Sequence, residues 1–200
     1  MKLFHAPASP YARKVVACAI ALGIDRQIEL IATNPHASPA DLLAANPLSK
    51  VPCVVTSDGV ALFDSPVICE FLDSIGTQAD LFPPAGKARW RALKQQAMGD
   101  GLLDAAVACR LEGRKPREDA RDAFIARQKA AIGRTLAVFE QDVPHRSVDI
   151  GTITLACALG YLDFRFGHEP WRPAHPNLAA WFTAFAENPC IARTTPHDAA

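Results

Sequence analysis

The sequence predicts an α/β domain followed by an all-α domain, and three observations carry that prediction. Strand-like and helix-like patterns alternate over residues 1–75, strand patterns vanish beyond residue 87, and a Gly- and Pro-punctuated stretch lies between. Two hundred residues, 50% hydrophobic and 21% charged, suffice for two small cores or one large one.

The first element is a strand over residues 1–5, Met1-Lys2-Leu3-Phe4-His5. Ser9-Pro10 then opens a helix that runs to Leu22, with Val15, Val16, Ala19, Ile20 and Leu22 at helical spacing and Gly23 as its stop. Gln27 to Ala32 alternates as a strand should, and Ser38-Pro39 supplies a cap and a first-turn proline for a short helix ending at Ala45. Val51–Thr56 and Val60–Phe63 are apolar runs on either side of Ser57-Asp58-Gly59, whose Asp-Gly signals a hairpin turn. A second Ser-Pro pair, Ser65-Pro66, starts a closing helix that ends near Ile75.

The resulting order, β-α-β-α-β-β-α, matches the thioredoxin-like arrangement of a βαβ crossover followed by an antiparallel hairpin and a helix. Residues 1–76 are therefore expected to form one domain. Residues 77–86, with Phe82-Pro83-Pro84, form a linker across which few contacts should run. Residues 87–200 carry helical patterns at about 87–112, 117–142, 149–166 and 176–187. The third of these has two apolar stripes, Ile150, Ile153, Cys157, Tyr161 and Phe164, and Leu155, Leu159, Leu162 and Phe166. A helix apolar nearly all round is expected to be buried, with Asp149 as its cap.

Composition excludes several classes of partner. Lys plus Arg and Asp plus Glu both number 21 and no dense basic run occurs, so neither nucleic acid nor an anionic membrane is an expected partner. The six cysteines are scattered without a CxxC pair, as expected of reduced core thiols in a cytoplasmic protein. The N-terminus lacks a signal-peptide pattern and no apolar run is long enough to span a bilayer. The six histidines have no HExxH spacing and no adjacent Cys pair, so no metal is expected. Trp181, Phe182 and Phe185 fit a core stripe, and Arg13 either reaches the site or faces solvent.

Three short segments carry the chemistry. Ser9-Pro10-Tyr11-Ala12 occupies the turn where a thioredoxin-like protein holds a Cys-Pro-Tyr-Cys dithiol, but here a hydroxyl and a methyl replace the two thiols. The chain cannot form that disulfide itself. What remains is a hydroxyl at a helix mouth, where free N–H groups and the positive dipole end favour the anion of a thiol brought in by a cosubstrate. Asn46-Pro47-Leu48-Ser49-Lys50-Val51-Pro52 enters a strand at a proline, with a cis Val51–Pro52 bond expected and the Val51 N–H and C=O left free to pair with a peptide. Phe63-Asp64-Ser65-Pro66 offers a helix mouth for a carboxylate and an acid for an ammonium, together an α-amino acid head group. Each segment also has an ordinary structural explanation: Ser9 and Ser65 as caps, Pro52 as an edge-strand proline, Lys50 as a surface charge, Cys53 as a buried strand cysteine.

At these residues the chain resembles the cytosolic glutathione S-transferases, the bacterial members in particular, over nearly its whole length. Ser9-Pro10-Tyr11-Ala12-Arg13-Lys14-Val15, Asn46 to Pro52 and Asp64-Ser65-Pro66-Val67-Ile68-Cys69-Glu70-Phe71-Leu72 carry the likeness in the first domain. Arg110 to Pro116, Ala158 to Arg165 and His175 to Trp181 carry it in the second. The resemblance implies glutathione as cosubstrate, Ser9 as the thiol-activating hydroxyl with Tyr11 as its rival, Val51 beside Pro52 on the cysteinyl backbone, Asp64 and Ser65 on the γ-glutamyl end, and Lys50 near the glycyl carboxylate. It also implies a homodimer that detoxifies small electrophilic apolar substrates. One departure is the Ser/Thr-x-x-Asp capping box usual in the family's buried helix, replaced here by Asp149-Ile150-Gly151-Thr152. The same fold also accommodates a glutathione-dependent peroxidase or disulfide reductase, or a non-enzymatic interaction scaffold.

Overall fold

Lys2–His5 form β1, the strand on which the N-terminal sheet is built, with Leu3 and Phe4 buried. In the computed structural model, which describes residues 1–78 and 80–198, β1 pairs in parallel with β2 (Glu29–Ala32) and antiparallel with β3 (Cys53–Val55). A two-residue β4 (Ala61–Leu62) completes the order β2-β1-β3-β4. The parallel pair needs a crossover, which α1 (Pro10–Ala21) supplies. Leu22 caps its C-terminus and Gly23, at φ 72°, takes the left-handed conformation that lets the chain leave the helix.

The next helix starts later than its Ser-Pro signal suggests. Ser38 itself adopts φ 46° and closes a 3₁₀ turn over Pro35–Ala37, so Pro39 becomes the cap and α2 spans Ala40–Ala45. The hairpin strands are shorter than the apolar runs that announce them, because only Val54–Val55 pair with Ala61–Leu62. Ser65–Ile75 form α3, whose Ile68, Cys69 and Leu72 pack with α1 in the core.

Beyond it the chain is helical: α4 (Lys87–Glu112), α5 (Asp119–Gln141), α6 (Ile150–Arg165), α7 (Pro176–Phe185) and a short α8 (Pro189–Ala192), the last without a sequence signal of its own. The architecture is a thioredoxin-like α/β domain followed by an all-α domain. Every residue from Ile150 to Leu162 is buried, as the double apolar stripe requires. Asp149 caps α6 by accepting the Thr152 N–H at 2.9 Å, and the Thr152 hydroxyl returns to accept the Asp149 N–H at 2.9 Å. The capping box is thus present with its two side chains exchanged. Glycines let α6 approach α4 closely: a Cβ on Gly151 would come within 2.8 Å of the Ala92 carbonyl oxygen, and one on Gly99 within 2.8 Å of Thr154 Cγ2.

In the stretch between α3 and α4, Leu81 is held from both sides. Leu81 is fully buried, its N–H donates to Asp73 Oδ1 at 2.6 Å, and its carbonyl accepts the N–H of Ile150 at 2.9 Å. One hydrophobic cluster consequently runs from Leu3 and Val15 through Leu81 to Leu102 and Ile153. Among the described residues no helix is long and apolar enough to cross a membrane, and no group of His, Cys, Asp or Glu side chains is placed to share a metal ion.

Candidate active site at the edge of the N-terminal sheet

Strand register brings the chemistry-bearing segments together. Phe4 lies opposite Cys53, and Val54 opposite Leu62, so the C-terminal ends of β1 and β4 share one edge with the N-terminal end of β3. Ser9, Val51-Pro52 and Asp64-Ser65 all follow or precede those ends directly. Three segments spread between residues 9 and 65 converge because β3 runs antiparallel to both β1 and β4.

Ser9 is the N-cap of α1, its Oγ accepting the Ala12 N–H at 3.2 Å. Capping uses a lone pair of that oxygen and leaves its proton free to donate. The two roles suggested by the sequence are therefore compatible. Tyr11 is differently placed: its hydroxyl donates to Asp104 Oδ1 at 2.5 Å, and burial together with that carboxylate pushes the phenol far above its ordinary pKa. Its proton is already committed to α4.

The Val51–Pro52 peptide is cis, and neither the Val51 N–H nor its C=O has a backbone partner among the described residues. Buried Asn46 holds this loop, donating from Nδ2 to the Lys50 carbonyl at 2.9 Å and accepting the Leu48 N–H at 3.0 Å. The exposed Lys50 ammonium forms no ion pair among the described residues. The Phe63–Asp64 peptide is also cis, and Asp64 caps α3 through its backbone alone, its carboxylate engaging no helix N–H. Ser65, 2% exposed, stands at the mouth of α3 beside it.

Two acids on α4 had no signal in the first-domain motifs. Asp100 accepts the ammonium of fully buried Lys14 at 2.7 and 2.8 Å, and Asp104 holds Tyr11 one turn further on. Burial raises the Asp100 carboxyl, against the pull of Lys14 and with the help of Asp104 and Asp64. Their i, i+4 spacing within the otherwise uncharged stretch of α4 from Gly99 to Cys109 is the sequence feature that could have revealed them. Arg13 turns away from the edge, donating to the Ile191 carbonyl at 3.3 Å and Thr194 Oγ1 at 3.4 Å. All six cysteines are free and buried, and burial pushes the Cys53 thiol up, so no thiolate of the chain itself faces this edge. Trp181, Phe182 and Phe185 belong to the core, Trp181 stacking on Phe185 with centroids 4.8 Å apart.

Two anion-favouring helix mouths with an unpaired strand-like backbone between them are groups suited to a small thiol peptide. Comparison with known proteins agrees with that chemistry. The family model of the glutathione S-transferase N-terminal domain matches residues 8–75, and that of the C-terminal domain matches residues 122–184. The chain is 31% identical to the uncharacterized GST-like protein YibF of Escherichia coli K12, over 98% of both chains. It is 38% identical to a glutathione transferase family member from Pseudomonas fluorescens Pf-5 solved with bound glutathione, over 98% of both chains, with a TM-score of 0.91. A further Pseudomonas fluorescens structure, with S-(propanoic acid)-glutathione bound, is 37% identical with a TM-score of 0.86 and is matched over 98% of this chain and 100% of that one. Two matching domain models in order and full-length relatives make the chain a member of the glutathione S-transferase family.

Proposed function

We propose that this protein is a glutathione transferase that ionises the glutathione thiol against Ser9 and directs the thiolate to a small electrophile. The observation that carries the proposal is the free hydroxyl proton of Ser9 at the same sheet edge as unpaired Val51 and the Asp64-Ser65 helix mouth. Glutathione bound in its relatives supports the choice of tripeptide. In this reading Val51 pairs with the cysteinyl backbone beside Pro52, Lys50 meets the glycyl carboxylate, and Asp64 with Ser65 holds the γ-glutamyl group. The thiol proton leaves to solvent, Ser9 donates to the resulting sulfur anion, and sulfur bonds to the electrophilic carbon while that carbon's leaving group departs with its bonding pair or its double-bond pair shifts to the neighbouring atom, which then takes a proton from water.

A free thiol has a pKa of about 8.5, so hydrogen bonding and the dipole of α1 need to lower it by only about one to two units to populate thiolate at neutral pH. Ser9→Ala is expected to reduce bound thiolate about 10- to 100-fold, read by its ultraviolet absorbance, while glutathione affinity by calorimetry changes little. Tyr11→Phe is expected to keep the thiolate and cost about 1 kcal/mol of stability, since the Asp104 carboxylate is left to water. Unchanged ionisation in Ser9→Ala, or its loss in Tyr11→Phe, would transfer the role to Tyr11 or to backbone N–H groups. Turnover of an organic peroxide in preference to an aryl halide would replace transfer by peroxide reduction on the same thiolate. The buried, unpaired cysteines fit a reducing cytoplasm. A homodimer is proposed on the face where α3 and α4 carry Val67 and Trp90, the latter 71% exposed, beside the self-complementary pair Arg89–Glu70 at 2.8 Å.

A further inference from the structure

We infer that Asn46 is a positioning residue for the peptide backbone of glutathione, fixing which way the Lys50–Val51 peptide plane faces. The inference rests on the proposed pairing of Val51 with the cysteinyl residue and names what holds Val51 ready for it. Asn46 is 1% exposed and follows the last residue of α2, its N–H donating to the Leu42 carbonyl at 2.7 Å. Its Nδ2 donates to the Lys50 carbonyl at 2.9 Å and its Oδ1 accepts the Leu48 N–H at 3.0 Å. Both partners are backbone groups of fixed polarity, so the side-chain amide can sit in only one orientation.

The Lys50 carbonyl and the Val51 N–H belong to the same peptide unit. That unit is planar and trans, so its C=O and N–H point in opposite directions. With the carbonyl drawn inward to buried Asn46, the Val51 N–H is turned away from it, and no group among the described residues accepts it. Turning the plane over would bring that N–H against the Asn46 Nδ2 donor and strand both, a costly arrangement in a buried place. The bond to the carbonyl also polarises the peptide and strengthens its N–H as a donor.

The loop around this peptide is braced at a second point. The Ser49 N–H donates to the Asn46 carbonyl at 3.0 Å, and the Ser49 hydroxyl donates to the Pro35 carbonyl at 3.1 Å and lies 2.9 Å from Ser38 Oγ. The 3₁₀ turn before α2 therefore supports the turn after it. The N–H groups of Asn46, Leu48 and Ser49 are spent inside the protein, and those of Lys50 and Val51 are left. Pro52 has no N–H, so a peptide laid along Val51 meets one oriented donor and one oriented acceptor there. A backbone already held in the bound orientation has little freedom left to lose when the peptide docks.

The test compares glutathione with γ-glutamylcysteamine, which lacks the cysteinyl carbonyl that the Val51 N–H would meet, by calorimetry on the full-length wild type, Asn46→Ala and Asn46→Asp. Asn46→Ala frees the peptide plane and is expected to weaken glutathione about tenfold, the worth of one hydrogen bond, while γ-glutamylcysteamine changes by less than about twofold. Asn46→Asp keeps an acceptor for Leu48, replaces the donor by a second acceptor and so draws the Val51 N–H inward; it is expected to weaken glutathione more than Asn46→Ala does. In both variants KM for glutathione should rise while kcat and the ultraviolet absorbance of bound thiolate at saturation stay as in the wild type, because Ser9 and α1 are untouched. Should both variants fail to fold, magnetic resonance of the nitrogen-15-labelled wild type decides: on adding glutathione the Val51 amide proton should show the largest downfield shift of residues 46–52, with the Asn46 side-chain amide protons slow to exchange throughout. Equal losses for the two ligands, no loss in either variant, an unmoved Val51 amide or a freely exchanging Asn46 amide would overturn the inference and leave glutathione binding intact. Absence of glutathione binding by the wild type would instead remove the thiol site, and the inference with it.

Discussion

Lys14 shows how one residue can couple two domains. It has no exposed surface, and among the described residues its ammonium is paired only with Asp100, which stands 86 residues away on α4. Replacing Asp100 by Ala strands a buried cation and is expected to cost about 3–5 kcal/mol in chemical unfolding, whereas Lys14→Met with Asp100→Leu should be close to neutral. The pair also has a pH signature. Burial holds the folded Asp100 carboxyl above its ordinary value, so between that ordinary value and the raised one the folded chain binds more protons than the unfolded chain. The Asp100 contribution to stability is therefore greatest below the ordinary carboxylate range and falls as pH rises through the window. The stability difference between wild type and Asp100→Ala should shrink over the same interval; a difference that grows would show that Lys14 outweighs burial. At Ser9, one hydroxyl both caps α1 and keeps a proton to donate, a compatibility that the chemistry of the group allows and the geometry realises.

At the scale of elements, α6 is the axis of the helical domain. Its buried N-terminus has little access to water, so its first N–H groups depend on the Asp149–Thr152 box. Asp149→Ala is expected to lower stability by about 2 kcal/mol, a Tm drop of about 4–8 °C for a chain of this size, measured by calorimetry. The position of this cap was visible in the sequence, because an acid directly before an apolar run is a local signal. Thr152 was visible as the fourth residue of the substituted box, while the return bond of its hydroxyl to the Asp149 N–H was decided by the side-chain rotamer. The start of α2 shows the opposite failure: Ser38-Pro39 is a valid local signal that the preceding 3₁₀ turn overrides. Gly151 was also silent in the sequence, its need set by the Ala92 carbonyl of a different helix.

For the whole molecule, α1 is the joint. One face packs on α3 and the sheet, and Tyr11, Arg13 and Lys14 on the other reach Asp104, Ile191 with Thr194, and Asp100. With Leu81 pinned to both sides, the two domains share one core, and calorimetry is expected to record a single unfolding transition. The proposed dimer adds a test at this scale. Trp90→Glu is expected to yield a folded monomer by analytical ultracentrifugation; an unaltered sedimentation coefficient would move the interface elsewhere.

Local interactions made much of this protein visible in its sequence. Hydrophobic period, Ser-Pro helix starts, the Asp-Gly turn and the proline after Val51 depend on near neighbours in the chain, so the order of elements and the three segments of the candidate site could be found from them. Tertiary packing alone decided what those segments meet. Asp104 claims Tyr11 across 93 residues, Asp100 claims Lys14 across 86, and Asp198 occupies Arg165 across 33. The choice of partner for a buried charge depends on which helices lie against one another, and no short-range pattern encodes that.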